Sequence, residues 1–136
     1  MTKTLFEMVA GARATAREIS PADARDAVVA GDVLVVDVRE PGEFAELHIS
    51  GATCIPRGLI ELRADPASPS ADAALAGSQS ARVLLYCTKA PGARSLLAAE
   101  TLAAMGFERV EVLAGGLNAW SEAGLPVDGA AGITTS

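Results

Sequence analysis

One thiol in this sequence stands where a nucleophile would be built. Cys87 follows the apolar run Val83-Leu84-Leu85-Tyr86 and precedes Thr88-Lys89-Ala90-Pro91-Gly92-Ala93-Arg94-Ser95, which leads into a helical stretch ending near Met105. A sulfur between a strand end and a helix start meets the helix's first, unpaired N–H groups and the positive end of its dipole. Lys89 and Arg94 add full charges, and a Gly-containing loop can turn further N–H groups inward. Such surroundings stabilise a thiolate. They also suit a tetrahedral oxyanion. The backbone of Thr88, Gly92, Ala93 and Ser95, with the Lys89 and Arg94 side chains, is therefore expected to hold thiosulfate, phosphate or arsenate beside the nucleophile. The plainer alternative makes Cys87 a small buried apolar residue at a strand end. The conjunction of strand, Cys, Gly loop, Arg and helix favours the reactive reading.

Other residues carry two readings each. Asp37 and Arg39 end a second apolar run, where a carboxylate and a guanidinium can pair and brace a loop; the alternative puts Arg39 in the anion site. His48, the only histidine, is either a proton shuttle or a hydrogen-bonded structural residue. Cys54 packs in the core, or serves as a resolving thiol if its Cα lies within about 4.4–6.8 Å of that of Cys87. Glu43 reads as a solvated residue on a short helix and Trp120 as a core anchor. Two distant cysteines and one histidine give no zinc-ligand spacing, so neither a metal nor a cofactor is expected.

These residues need a scaffold, and the apolar pattern supplies one. Val33–Val38 and Val83–Tyr86 are continuous apolar runs, as strands buried on both faces of a parallel sheet require. Val110–Leu113 is a weaker third copy, and Thr53-Cys54-Ile55, stopped by Pro56, a short fourth. Leu5, Met8, Val9 and Ala12 recur at helical spacing, predicting an amphipathic helix over 4–17 against the domain or a partner subunit. Ser20, Pro21 and Asp23 open a helix over 21–30 that Gly31 closes. Further helices are expected at 41–47, 57–64, 93–105 and 117–123, with Gly106-Phe107 ending the third of these. Residues 64–81 read as a loop with one helical turn. Alternating strands and helices argue a three-layer α/β domain with its ligand crevice beyond the carboxyl ends of the strands, where Cys87 lies.

The 136 residues, 50% of them apolar, suffice for one domain with a proper core. The organisation expected is an N-terminal helical extension over 1–18, the α/β domain over 19–127 and a mobile tail over 128–136, without internal repeats. Seventeen acidic against eleven basic residues, a formal charge of −6, disfavour nucleic acid and anionic membranes. No apolar run approaches the roughly 20 residues of a membrane span, and Met1–Ala10 lacks a signal-peptide core, so the cytoplasm is the expected compartment and both cysteines are expected as thiols.

Three motifs carry a family resemblance over nearly the whole chain. Asp37-Val38-Arg39-Glu40-Pro41-Gly42-Glu43-Phe44 is followed by His48-Ile49-Ser50-Gly51-Ala52 and Ile55-Pro56; Leu85-Tyr86-Cys87 is followed by Arg94-Ser95; and Leu113-Ala114-Gly115-Gly116-Leu117-Asn118-Ala119-Trp120 closes the series. In this order the chain resembles a rhodanese-like domain. The resemblance implies a three-layer rhodanese-like fold with a five-stranded parallel sheet flanked by helices. It also implies double displacement, in which Cys87 takes a sulfane sulfur from a donor and passes it, as a persulfide, to a thiophilic acceptor such as cyanide or a thiol. Six residues separate Cys87 from Arg94, where family members commonly have four and related cell-cycle phosphatases five, so the cradle is wider or puckered. Cationic loops in the family go with thiosulfate, and Lys89 leans the same way. Two alternatives stay open: an arsenate reductase or phosphatase using the same Cys and Arg, and a non-catalytic sulfur-carrier or binding module. The partners implied are a small sulfur anion and its acceptor, with a homodimer or a sulfur-acceptor protein as the macromolecular options.

Overall fold

The computed structural model describes residues 2–133. The chain runs α1 (Leu5–Thr15), β1 (Arg17–Ile19), α2 (Pro21–Ala30), β2 (Val33–Asp37), α3 (Pro41–Glu46), β3 (His48–Ile49) and β4 (Thr53–Cys54). A 3-10 turn (Arg57–Leu59) then precedes α4 (Ile60–Ala64), α5 (Ala73–Ala76), β5 (Arg82–Tyr86), α6 (Ala93–Ala104), β6 (Arg109–Leu113), α7 (Gly116–Glu122), β7 (Val127–Asp128) and α8 (Ala130–Ile133). Five strands form one parallel sheet in the order β1-β6-β5-β2-β4, and β3 pairs antiparallel with β7. This is the expected α/β architecture, with β5 at its centre.

The central strands β2 and β5 carry the apolar runs Val33-Leu34-Val35-Val36 and Val83-Leu84-Leu85-Tyr86 because both their faces are covered. Val83 and Leu85 of β5 point to one side, where Leu96 and Leu102 of α6, Ile60 of α4, Leu75 of α5 and Ala12 of α1 complete a core. Leu84 and Tyr86 point to the other, against Ala24 of α2 and Leu117 and Trp120 of α7. Burial of this continuous side-chain set holds the middle strand, and therefore the residue that follows it, in a fixed place. Helix α6 ends as its sequence predicts: Gly106 takes φ 98° and donates to Ala103 O, while Phe107 N donates to Leu102 O, the two bonds of a Schellman end.

Three expectations change. The N-terminal helix stops at Thr15, not at residue 17, because Arg17–Ile19 becomes an edge strand pairing with Glu111–Leu113. Arg17 and Arg82 both pair with the buried Glu111, which ties β1 to the sheet. The apolar stripe of that helix is only half used: Val9 and Ala12 join the core, whereas Leu5 and Met8 are exposed. Of the tail expected from 128, Asp128 pairs with His48 and Ala130–Ile133 is helical, while 134–136 lie outside the described residues. No helix among the described residues is long and apolar enough to cross a membrane.

Candidate active site

Cys87 sits at the carboxyl end of β5, 4% exposed, with its sulfur 3.3 Å from the Ser95 hydroxyl oxygen. That hydroxyl also donates to Gly92 O at 3.1 Å. A hydroxyl has one proton, so while Ser95 donates to Gly92 it can only accept from the Cys87 thiol. When the sulfur ionises, the Ser95 proton is free to turn and donate to it.

The loop then offers backbone N–H groups. None of the N–H groups of residues 88–90 and 93–95 donates to a protein acceptor among the described residues, while the Gly92 N–H faces Lys89 O across the turn at Ala90–Pro91. Gly92 adopts φ 80° as it caps α6, and a Cβ built on it would lie 3.9 Å from the sulfur. Thr88, Gly92, Ala93 and Ser95, the residues expected to line the cradle, all lie in this loop and the first turn of α6. Lys89 is exposed on the same loop and makes no ion pair among the described residues.

Arg94 is braced by a residue that sequence reasoning set aside. Its Nη1 and Nη2 donate to Oε1 and Oε2 of Glu43 at 2.7 and 3.2 Å, and Nη2 also reaches the Thr88 hydroxyl at 3.4 Å. Hydrogen bonding from Arg94 holds the Glu43 carboxyl down at about 2, with the Glu40 N–H helping and burial opposing. Glu43 is therefore ionised at any ordinary pH and has no proton to give to a leaving group. Its place at the start of a helix that follows β2, close to Arg39, was the one signal that it faces the crevice.

Arg39 pairs with Asp37, the first of its two readings. It is 5% exposed, and its Nε and Nη2 donate to Asp37, with Nη2 also donating to Leu47 O at 2.5 Å and Glu43 O at 3.4 Å. The Asp37 carboxylate in turn accepts the Arg39 N–H at 2.9 Å. This is a buried brace for the turn between β2 and α3, and it commits the guanidinium internally. His48 is likewise structural: its ring stacks on Phe44 and its Nδ1 lies 2.7 Å from Phe44 O, an acceptor, so Nδ1 carries the proton. Cys54 is a free thiol on β4 near Arg39 O, and burial pushes its ionisation up.

The root of the loop hangs on α7. Leu117 N donates to Cys87 O and Asn118 N to Thr88 O, each at 2.9 Å. This close approach requires Gly116, which adopts φ 59° and whose Cβ would stand 2.6 Å from Cys87 O and 2.8 Å from Thr88 C. Both contacts are backbone, so neither can swing aside. Gly116→Ala is expected to cost about 3 kcal/mol in urea unfolding, combining the left-handed penalty with overpacking. It should also lower kcat/KM by more than tenfold at temperatures where the variant remains folded, roughly a 1.4 kcal/mol effect on the transition state. A variant with wild-type kinetics would show that the Gly116 contact does not position Cys87.

Known proteins resemble this chain in sequence and fold. The model of the Rhodanese-like domain family matches residues 20–123. A "Sulfurtransferase" of Allochromatium vinosum is 38% identical over 96 residues, which is 71% of this chain and 78% of that protein. "Thiosulfate sulfurtransferase 16, chloroplastic" of Arabidopsis thaliana is 33% identical over 111 residues, 79% of this chain and 89% of that one. A solved structure from Rhodopseudomonas palustris, described as a protein of unknown function and possible tyrosine phosphatase, aligns with a TM-score of 0.84 at 33% identity, covering 94% of this chain and 96% of the other. With the family match spanning most of the sequence and the sheet, loop and closing helix arranged around Cys87, this chain belongs to the rhodanese-like domain family, among relatives that are sulfurtransferases.

Proposed function

We propose that this chain moves a sulfane sulfur from thiosulfate, or a similar small sulfur anion, to a thiophilic acceptor such as cyanide or a thiol, with Cys87 as the covalent carrier. The observation that carries this reading is the buried Cys87 sulfur beside a loop whose N–H groups, Gly92 apart, have no acceptor among the described residues. Those donors suit the sulfonate oxygens of the incoming anion and then the terminal sulfur of the product persulfide.

In the first half-reaction the Cys87 thiolate attacks the outer sulfur of thiosulfate. A sulfur–sulfur bond forms to Cys87, the bond to the sulfonate sulfur breaks, and sulfite leaves with the electron pair. In the second, cyanide attacks the outer sulfur of the persulfide, thiocyanate leaves, and the Cys87 thiolate returns. No proton moves in either substitution, so no general acid is needed, which agrees with a Glu43 that stays ionised. Ser95 steadies whichever sulfur species carries the charge.

Arg94 holds the loop through Glu43 and Thr88 and contributes positive charge beside the anion. Arg94→Ala is expected to raise the KM for thiosulfate about tenfold with kcat little changed, because it removes an interaction felt by ground and transition states alike. A fall confined to kcat would assign Arg94 to the chemical step instead. The test of the function is thiosulfate-to-cyanide transfer beside hydrolysis of a small aryl phosphate. Thiocyanate without phosphate release is expected; phosphate release alone would favour the phosphatase reading suggested by the Rhodopseudomonas palustris relative's description. The two free thiols suit a reducing compartment such as the cytoplasm.

A further inference from the structure

A full negative charge stands at the edge of the loop proposed to bind an anion. Glu43, in the first turn of α3, takes both Nη groups of Arg94, and Arg94 Nη2 also reaches the hydroxyl of Thr88, the residue after Cys87. Ser95, the residue after Arg94, has its hydroxyl 3.3 Å from the Cys87 sulfur. The ion pair is therefore anchored on the same strand–loop–helix unit as the nucleophile. Arg94 has its pKa raised by the Glu43 hydrogen bond first and, against burial, by the charges of Glu43, Cys87 and Asp37, so the guanidinium is within electrostatic reach of the sulfur.

The charges on the elements around the sulfur come largely in pairs. At the end of β2, Asp37 and Arg39 pair with each other, and Glu43 of α3 pairs with Arg94 of α6. Helix α7 carries no charged side chain before Glu122, its last residue. On the loop itself Lys89 is exposed and enters no ion pair among the described residues. Glu43 is ionised throughout the pH range of an assay, so Arg94 meets an incoming anion as half of a neutral pair. Coulomb energy is proportional to the ligand's charge, so the Glu43 carboxylate opposes a dianion twice as strongly as a monoanion in the same place. We infer that Glu43 is a specificity-determining residue of the cradle, one that holds down the affinity for doubly charged sulfur anions relative to singly charged ones. The inference rests on the reading of this loop as the sulfur-donor site, and it adds a donor class: singly charged thiosulfonates gain on thiosulfate because Glu43 is there.

The test compares the full chain as wild type and Glu43→Gln. The amide removes the charge and keeps the geometry, because Oε1 is the atom that accepts from both Arg94 Nη1 and the Glu40 N–H, and glutamine serves a capping box as glutamate does. The donors are thiosulfate and methanethiosulfonate, which carries the same outer sulfur on a singly charged group. Glu43 and Arg94 are each 38% exposed, so solvent screens the effect to about threefold per unit of ligand charge. Glu43→Gln is expected to lower the KM for thiosulfate about tenfold and that for methanethiosulfonate about threefold. A ratio of the two KM values that stays as in wild type, or moves in favour of methanethiosulfonate, overturns the inference. A second readout needs no turnover: sodium sulfate is used to shield Cys87 from iodoacetamide, followed by mass on the peptide containing Cys87. The half-shielding concentration is expected to fall about tenfold in Glu43→Gln. An unchanged concentration, or no shielding in either protein, also overturns the inference. A protein that transfers sulfur from neither donor yet shows the sulfate effect would sink the sulfurtransferase reading and leave this one standing.

Discussion

Cys87→Ser is expected to lose thiosulfate-to-cyanide transfer by at least ~10⁴-fold, because the variant has no atom on which a sulfane sulfur can be carried. The size of the loss follows from the chemistry having a single covalent carrier. Loop amides, Ser95 and Arg94 can hold an anion, but they cannot accept its sulfur. The fold should survive. Cys87 is buried against the Ser95 hydroxyl, and a serine oxygen placed there can exchange a hydrogen bond with that hydroxyl, so its desolvation is compensated. Stability in urea is expected to stay within about 1 kcal/mol of wild type. Transfer near the wild-type rate would remove Cys87 from the reaction, while unfolding of the variant would assign it a packing role first.

The second large effect falls on stability. Arg39→Met leaves the Asp37 carboxylate, fully buried, without the guanidinium that takes both its oxygens. Breaking a buried pair from one side costs about 3–5 kcal/mol, since the remaining charge is desolvated and unpaired. For a domain of this size that corresponds to a fall in Tm of roughly 10–15 °C. The Leu47 and Glu43 carbonyls lose a donor as well, so the turn between β2 and α3 loosens and the Glu43–Arg94 brace with it. Thermal unfolding followed by circular dichroism measures the first effect. Loss of less than about 1 kcal/mol, with a raised KM for thiosulfate, would instead return Arg39 to the anion site.

Much of the scaffold could be read from the sequence because its signals are local. The unbroken apolar runs of β2 and β5 announce strands buried on both faces, and Ser20-Pro21 and Gly106-Phe107 write their caps into neighbouring positions. Strand β1 was hidden for a physical reason. It has three residues, Arg17-Glu18-Ile19, lies at the sheet edge and buries only part of Ile19, so it carries neither alternation nor an apolar run. Leu5 and Met8 misled in the opposite sense: helical spacing marks a face, yet only Val9 and Ala12 of that face meet α6 and the core.

The site divides in the same way. Cys87, Gly92, Arg94 and Ser95 lie within one strand–loop–helix unit, where residue types and spacing determine their meeting. The residues that brace this unit are remote in sequence. Glu43 is 51 positions from Arg94, Arg13, whose Nη2 donates to Pro91 O, is 78 positions from it, and the amides of α7 reach back to Cys87 and Thr88 from the far end of the domain. A sequence pattern marks Cys87 and the loop proposed as its cradle; only the packing of α1, α3 and α7 around the carboxyl end of the sheet shows what braces that loop.

The most direct test of Cys87 as a sulfur carrier is the intact mass of the protein, freed of reductant, after incubation with thiosulfate and again after cyanide. A gain of one sulfur atom, mapped to the peptide containing Cys87, absent in Cys87→Ser and removed by cyanide with release of thiocyanate, is the predicted result. An unchanged mass in wild type, or a sulfur carried on Cys54, would contradict it.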